Sequence, residues 1–66
     1  MPEITLNGET RAVAAQNIAD LLRELGLDDQ PVAVERNRAV APKKQHPQTP
    51  VETGDRIELV TLVGGG

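Results

Sequence analysis

Three consecutive glycines, Gly64-Gly65-Gly66, are the residues of this 66-residue chain whose type and spacing point most directly to chemistry. Without Cβ atoms, such a run threads a narrow cleft and lays its backbone against the catalytic groups of a partner. The α-carboxylate of Gly66 would then be the reacting group. It is a poor electrophile as it stands and a good one as an acyl-adenylate, from which the phosphate leaves. As structure the run returns little, because glycine loses the most conformational freedom on ordering and packs nothing in exchange. The competing reading is a frayed or appended end with no role.

The rest of the composition offers few reactive groups. Cysteine, tyrosine, tryptophan and phenylalanine are all absent, and His46 is the single histidine. Disulfides, thiolate zinc sites, cysteine nucleophiles and persulfides on the chain itself are excluded. No Asp/Glu spacing resembles a calcium loop, so no metal site is expected. With so few groups titrating near neutrality, the chain is expected not to be an enzyme. Ten acidic residues against seven basic give a net charge of -3, and there are no aromatic rings for base stacking, so nucleic acid is not the expected partner. No apolar stretch is long enough to span a bilayer and no basic-then-apolar leader opens the chain, which makes a cytoplasmic protein the expectation.

Several lesser candidates have two readings each. His46 with Lys43 and Lys44 is either a docking spot for a carboxylate-rich partner or part of a solvated loop. Leu59, Leu62 and Val63 are candidate partner-binding residues beside the glycines, although Leu59 serves equally well as core. Gly54-Asp55 reads as turn chemistry. Arg36, Arg38 and Arg56 read as solvated strand positions that an acidic surface could contact.

The elements that must position the tail follow from periodicity. Pro2 to Leu6 alternates with Ile4 and Leu6 on one face, a half-buried strand. Asn7-Gly8 is a hairpin turn signal, since both residues tolerate positive φ, and Thr10–Val13 returns as a second strand. Ile18, Leu21, Leu22 and Leu25 at i, i+3, i+4 and i+7 define one apolar helix face. Asn17 is the expected N-cap, Gly26 the left-handed C′ residue, and Leu27 folds back on the last turn. Val32–Arg36 reads as a third strand and Ala39–Ala41 as its return through Asn37-Arg38. The segment from Pro42 to Pro50, polar and carrying three prolines, reads as a surface loop. Arg56–Val63 is the most β-prone stretch, with Ile57 and Leu59 on one face. One domain over residues 1–63 and a flexible tail over 64–66 are expected. The order ββαβ(β)β gives an α+β fold of β-grasp (ubiquitin-like) type: a mixed four- to five-stranded sheet, one main helix packed across it, and the first and last strands parallel and central. A ferredoxin-like fold would require a second helix.

The segments Ile4-Thr5-Leu6-Asn7-Gly8-Glu9, Ile18-Ala19-Asp20-Leu21-Leu22, Leu25-Gly26-Leu27 and Val32-Ala33-Val34-Glu35 occur in the same order as in a known family. They are followed by Asn37, Val40, Pro42, Gln45-His46, and Gly54-Asp55-Arg56-Ile57-Glu58-Leu59-Val60 before the glycines. Together they resemble the thiamine-biosynthesis sulfur carriers, the ThiS family. Asn37-Arg38 in place of the usual Asn-Gly departs from that pattern and suggests a wider turn; Pro50 is a second departure.

The resemblance implies a protein co-substrate, a monomer when free. An adenylyltransferase related to ubiquitin-activating enzymes (ThiF-like) would use ATP and magnesium to adenylate Gly66. A persulfide sulfur donor would convert it to a thiocarboxylate, and thiazole synthase (ThiG-like) would take the sulfur into the thiazole of thiamine. Gly64 and Gly65 would thread the partners' clefts. Alternatives are a carrier for molybdopterin, tRNA thiolation or cysteine, and a ubiquitin-like binding module with no carrier role.

Overall fold

The computed structural model describes residues 1–62. Its elements are β1 (Glu3–Leu6), β2 (Glu9–Ala12), α1 (Ile18–Glu24), β3 (Val32–Arg36), β4 (Ala39–Val40), a 3-10 helix (Lys43–Gln48) and β5 (Arg56–Thr61). The five strands form one sheet in the order β2-β1-β5-β3-β4. β5 is central, parallel to β1 through Thr5↔Arg56 and Leu6↔Ile57, and antiparallel to β3 from Arg36↔Ile57 to Val32↔Thr61. This mixed sheet with one helix across it is the expected β-grasp arrangement.

The helix forms where its caps allow. Asn17 takes an extended backbone and its Oδ1 accepts from the Asp20 N–H at 2.8 Å, satisfying one of the free amides of the first turn. At the other end Gly26 adopts φ +74°, so that Gly26 N–H donates to Arg23 O and Leu27 N–H to Leu22 O. That paired closure is the Schellman motif, and it turns Leu27 back onto the core. Ile18, Leu21 and Leu22 pack with Ile4, Leu6, Val34 and Ile57 in a single cluster that also takes in Val13, Ala15, Ala41 and Val51.

Five expectations need correction. The second strand is Glu9–Ala12, one residue earlier than read, because Asn7 (φ 49°) and Gly8 (φ 85°) form a two-residue turn that pairs Leu6 with Glu9. Val13 lies just past the strand, its N–H donating to Pro2 O at 2.9 Å, and is fully buried. The Asn37-Arg38 turn is not wider than Asn-Gly: both residues take positive φ, 52° and 71°, and Arg36 pairs directly with Ala39. Pro42 to Pro50 is not a loose loop, since it winds into the 3-10 helix. His46 on that helix is not solvated but 5% exposed, with Nε2 at 2.9 Å from Ala41 O. A carbonyl only accepts, so Nε2 carries the proton. Finally, Arg36 is not a solvated strand position. Its guanidinium meets Asp55 and Glu52.

Candidate functional site

The last strand carries the chain toward the glycines, and the sheet fixes its course until Leu62. On the β3 side, pairing continues through Val32↔Thr61, and the Leu62 N–H donates to Pro31 O at 2.8 Å. On the β1 side, Thr5 N–H donates to Asp55 O and Asn7 N–H to Ile57 O, both at 2.9 Å. There β1 turns away into its hairpin. The next donor of β5 on that side, Leu59 N–H, is taken by the Asn7 side chain, with Oδ1 at 2.7 Å. In sequence Asn7 reads as a turn residue and nothing more. Its reach to a residue 52 positions away has no local signal.

Alternation along β5 separates the candidate contact residues. Ile57 and Leu59 face the helix side: Ile57 is fully buried, and Leu59 is half-buried and packed against the core. Leu59 therefore packs on the core while part of its surface stays exposed. Val60 pairs with Ala33, and Glu35 pairs with both Glu58 and Val40, on the face away from the helix. Val60 is 58% exposed, Val40 72% and Leu62 52%. Leu62 thus stands with Val60 by strand parity, not with Leu59. Val40 and Val60 are exposed apolar positions that sequence reasoning missed, although strict alternation from Ile57 marks Val60. Val63, Gly64, Gly65 and Gly66 lie outside the described residues.

Below the exit strand, a polar clasp fixes its start. Asp55 is buried and accepts from Arg36 Nε (2.8 Å), Arg36 Nη2 (3.3 Å), Asn37 Nδ2 (3.0 Å) and the Glu52 N–H (2.9 Å). Burial pushes its carboxyl up. The Asn37 amide, the Glu52 N–H and the Arg36 guanidinium outweigh that and hold it below its ordinary value. Asn37 also accepts the Arg56 N–H at 2.8 Å, so the clasp sets the register at which β5 begins. The Arg56 side chain is exposed, with its Nε 3.4 Å from Glu58 Oε1.

Lys43 and Lys44 are exposed on the 3-10 helix, while His46 beneath them is committed to Ala41 and to packing. The structure therefore does not bring the three together as one docking spot. Shallow clefts beside this helix, lined by Leu22, Asp28, Lys43 and His46, hold no cluster of reactive groups. Among the described residues there is no group of three or more His, Cys, Asp or Glu side chains able to hold a metal ion. No helix among them is long and apolar enough to cross a membrane.

Comparison with known proteins agrees with this geometry. The model of the ThiS family matches residues 4–66. The chain is 43% identical over 65 residues to a thiazole synthase from Paramagnetospirillum magneticum, covering 97% of this chain and 20% of that protein. It thus spans about a fifth of that relative's length. It is 33% identical over 63 residues to the sulfur carrier protein ThiS of Thermus thermophilus, covering 96% of this chain and 98% of that one. The crystal structure of a thiamine biosynthesis protein (ThiS) from Geobacter metallireducens superposes with a TM-score of 0.80 at 30% identity, over 97% of this chain and 99% of the other. A family match that runs from the first strand through the glycines, on a fold shared with a solved member, leaves one conclusion: the chain belongs to the ThiS family.

Proposed function

We propose that this protein is a sulfur carrier of thiamine biosynthesis, acting through the carboxylate of Gly66 as the end of the functional chain. That carboxylate attacks the α-phosphate of ATP on an activating adenylyltransferase that uses magnesium, and pyrophosphate leaves. A persulfide sulfur then adds to the acyl carbon and AMP departs. Thiolysis of the resulting S–S bond by a second thiol, itself oxidised to a disulfide, leaves a thiocarboxylate on Gly66. Thiazole synthase takes the sulfur from there. The chain itself catalyses no step. It presents Gly64-Gly65-Gly66 from the end of a well-held central strand.

The observation that carries this reading is the family match, which extends through Gly66 rather than stopping at the sheet. Similarity to a thiazole synthase favours thiazole formation over molybdopterin, tRNA thiolation or cysteine as the destination. The chemistry also suits a chain that has no cysteine and must hold sulfur elsewhere.

Intact mass spectrometry tests it. After incubation with ATP, magnesium, a sulfur source and the cognate adenylyltransferase, the protein should gain the difference between sulfur and oxygen, located on the Gly66 peptide. An unchanged mass, with the enzyme demonstrably active on another carrier, would overturn the reading.

A further inference from the structure

We propose that Asn7 is a positioning residue for transfer at the tail: its side chain holds the exit strand in line with the sheet, so that a partner capturing Gly66 has less of that strand to order. This inference rests on the carrier reading above.

The geometry behind it is a mismatch in strand length. β1 ends at Leu6, opposite Ile57, whereas β5 runs on to Thr61. From Glu58 onward, backbone pairing in the sheet reaches β5 only from β3. Two strands alone are marginally stable in water, and strand ends held from one side fray at low free-energy cost. The Leu59 N–H would be the first donor left bare. Asn7 Oδ1 takes it at 2.7 Å and adds one rung to the β1 side after the β1 backbone has turned away. The same residue's N–H holds Ile57 O, so two successive bonds from Asn7 grip β5 at the point where it leaves the shelter of β1.

The turn alone does not account for this side chain. At φ 49° Asn7 sits in the left-handed region, which glycine occupies without strain. Asparagine adds an acceptor, and that acceptor is spent on Leu59 rather than on the turn itself. A bond at Leu59 matters because without it the far part of β5 is held by β3 alone, through Val32↔Thr61 and the Leu62 N–H on Pro31 O. Ordering a single freed backbone residue on binding corresponds to about a fivefold to thirtyfold loss of affinity.

The experiment measures adenylation of the wild-type chain, Asn7→Gly, Asn7→Asp and Ala12→Gly by ATP–pyrophosphate exchange, together with hydrogen exchange at the Leu59 amide. Asn7→Gly keeps the turn and deletes the acceptor. Asn7→Asp keeps both. Ala12→Gly weakens the exposed edge strand β2 and controls for stability. The expected result is faster Leu59 exchange and a KM raised about fivefold or more in Asn7→Gly, with kcat within about twofold. Asn7→Asp and Ala12→Gly should keep the wild-type KM. Should Asn7→Gly fail to fold, replacing the 58–59 amide by an ester in a synthetic chain deletes the Leu59 N–H and leaves the Asn7 turn intact. A 60–61 ester is the control for the weaker ester carbonyl, and the same KM rise is expected for the 58–59 ester alone. An unchanged KM despite faster Leu59 exchange would overturn the proposal, as would an Asn7→Asp variant as impaired as Asn7→Gly, or an equal KM rise in Ala12→Gly. A wild-type chain that is not adenylated at all would overturn the carrier reading and this proposal with it, whereas an active wild type matched by Asn7→Gly overturns this proposal alone.

Discussion

Asp55 shows how a single carboxylate ties together parts of the chain that are far apart in sequence. Its partners Arg36 and Asn37 sit at the β3–β4 hairpin, 19 and 18 positions away, and Glu52 precedes it by three. In sequence, Gly54-Asp55 reads as turn chemistry, which it is, but the convergence of two hairpin side chains on it carries no local signature. Its pH dependence follows from the direction of its shift. The folded-state value lies below the ordinary one, so the unfolded chain binds the proton more readily. The clasp therefore stabilises the fold in full above the ordinary aspartate range, near about pH 4, and is lost as pH falls through the lower folded value. Asp55→Asn should be less stable at neutral pH by roughly 1–3 kcal/mol, because its amide N–H must face a donor on Arg36 or Glu52. It should also lack that part of the acid destabilisation. Urea unfolding at pH 7 and pH 3 measures both effects, and equal losses on acidification in the two proteins would contradict this account.

At the scale of elements, legibility depended on whether the signal was local. The helix was readable from Asn17 to Leu27 because its cap, apolar face and left-handed glycine all lie within eleven residues, and the structure keeps each in its expected role. The Asn7-Gly8 turn and β3 were readable for the same reason. The 3-10 helix was not. Lys43–Gln48 has no apolar period and contains Pro47, and it is held by its surroundings: His46 against Ala41 O, and Thr49 Oγ1 donating to Gln45 O at 2.7 Å. The β3–β4 hairpin falls between these cases. Its position was readable, but its tightness was not, because Arg38 occupies a left-handed position that favours glycine. An L side chain there costs about 1–2 kcal/mol, and the exposed Arg38 makes no side-chain hydrogen bond among the described residues to offset it. Arg38→Gly should therefore raise stability by about 1 kcal/mol after the added freedom of the unfolded chain is deducted. Chemical denaturation with an unchanged m-value checks this. A loss of stability would mean that the arginine side chain contributes more than its backbone strain removes.

At the scale of the whole molecule, the fold and the proposed chemistry occupy separate parts of the chain. The buried cluster begins at Ile4 and is complete at Ile57, on the central strand. A domain of this size has little stability to spare, so loss of a core side chain should be felt throughout. Ile57 is fully buried between β1 and β3, and Ile57→Ala should cost about 2–5 kcal/mol, lowering the unfolding midpoint by about 10 °C or more. Deleting Gly65 and Gly66 removes no residue of the cluster and none of the described hydrogen bonds, so the midpoint should move by less than about 2 °C. Sulfur transfer should respond in the opposite order. The truncated chain should accept none, because its carboxylate, now on Gly64, ends two residues short of the position from which Gly66 would reach an activating enzyme. Ile57→Ala should still accept sulfur well below its lowered midpoint. Thermal unfolding and thiocarboxylate formation, measured on the same two variants, would separate scaffold from reacting group. A truncated chain that still gains sulfur would show that Gly65 and Gly66 are not required for the reaction. A truncated chain that unfolds would mean that the glycines belong to the scaffold after all.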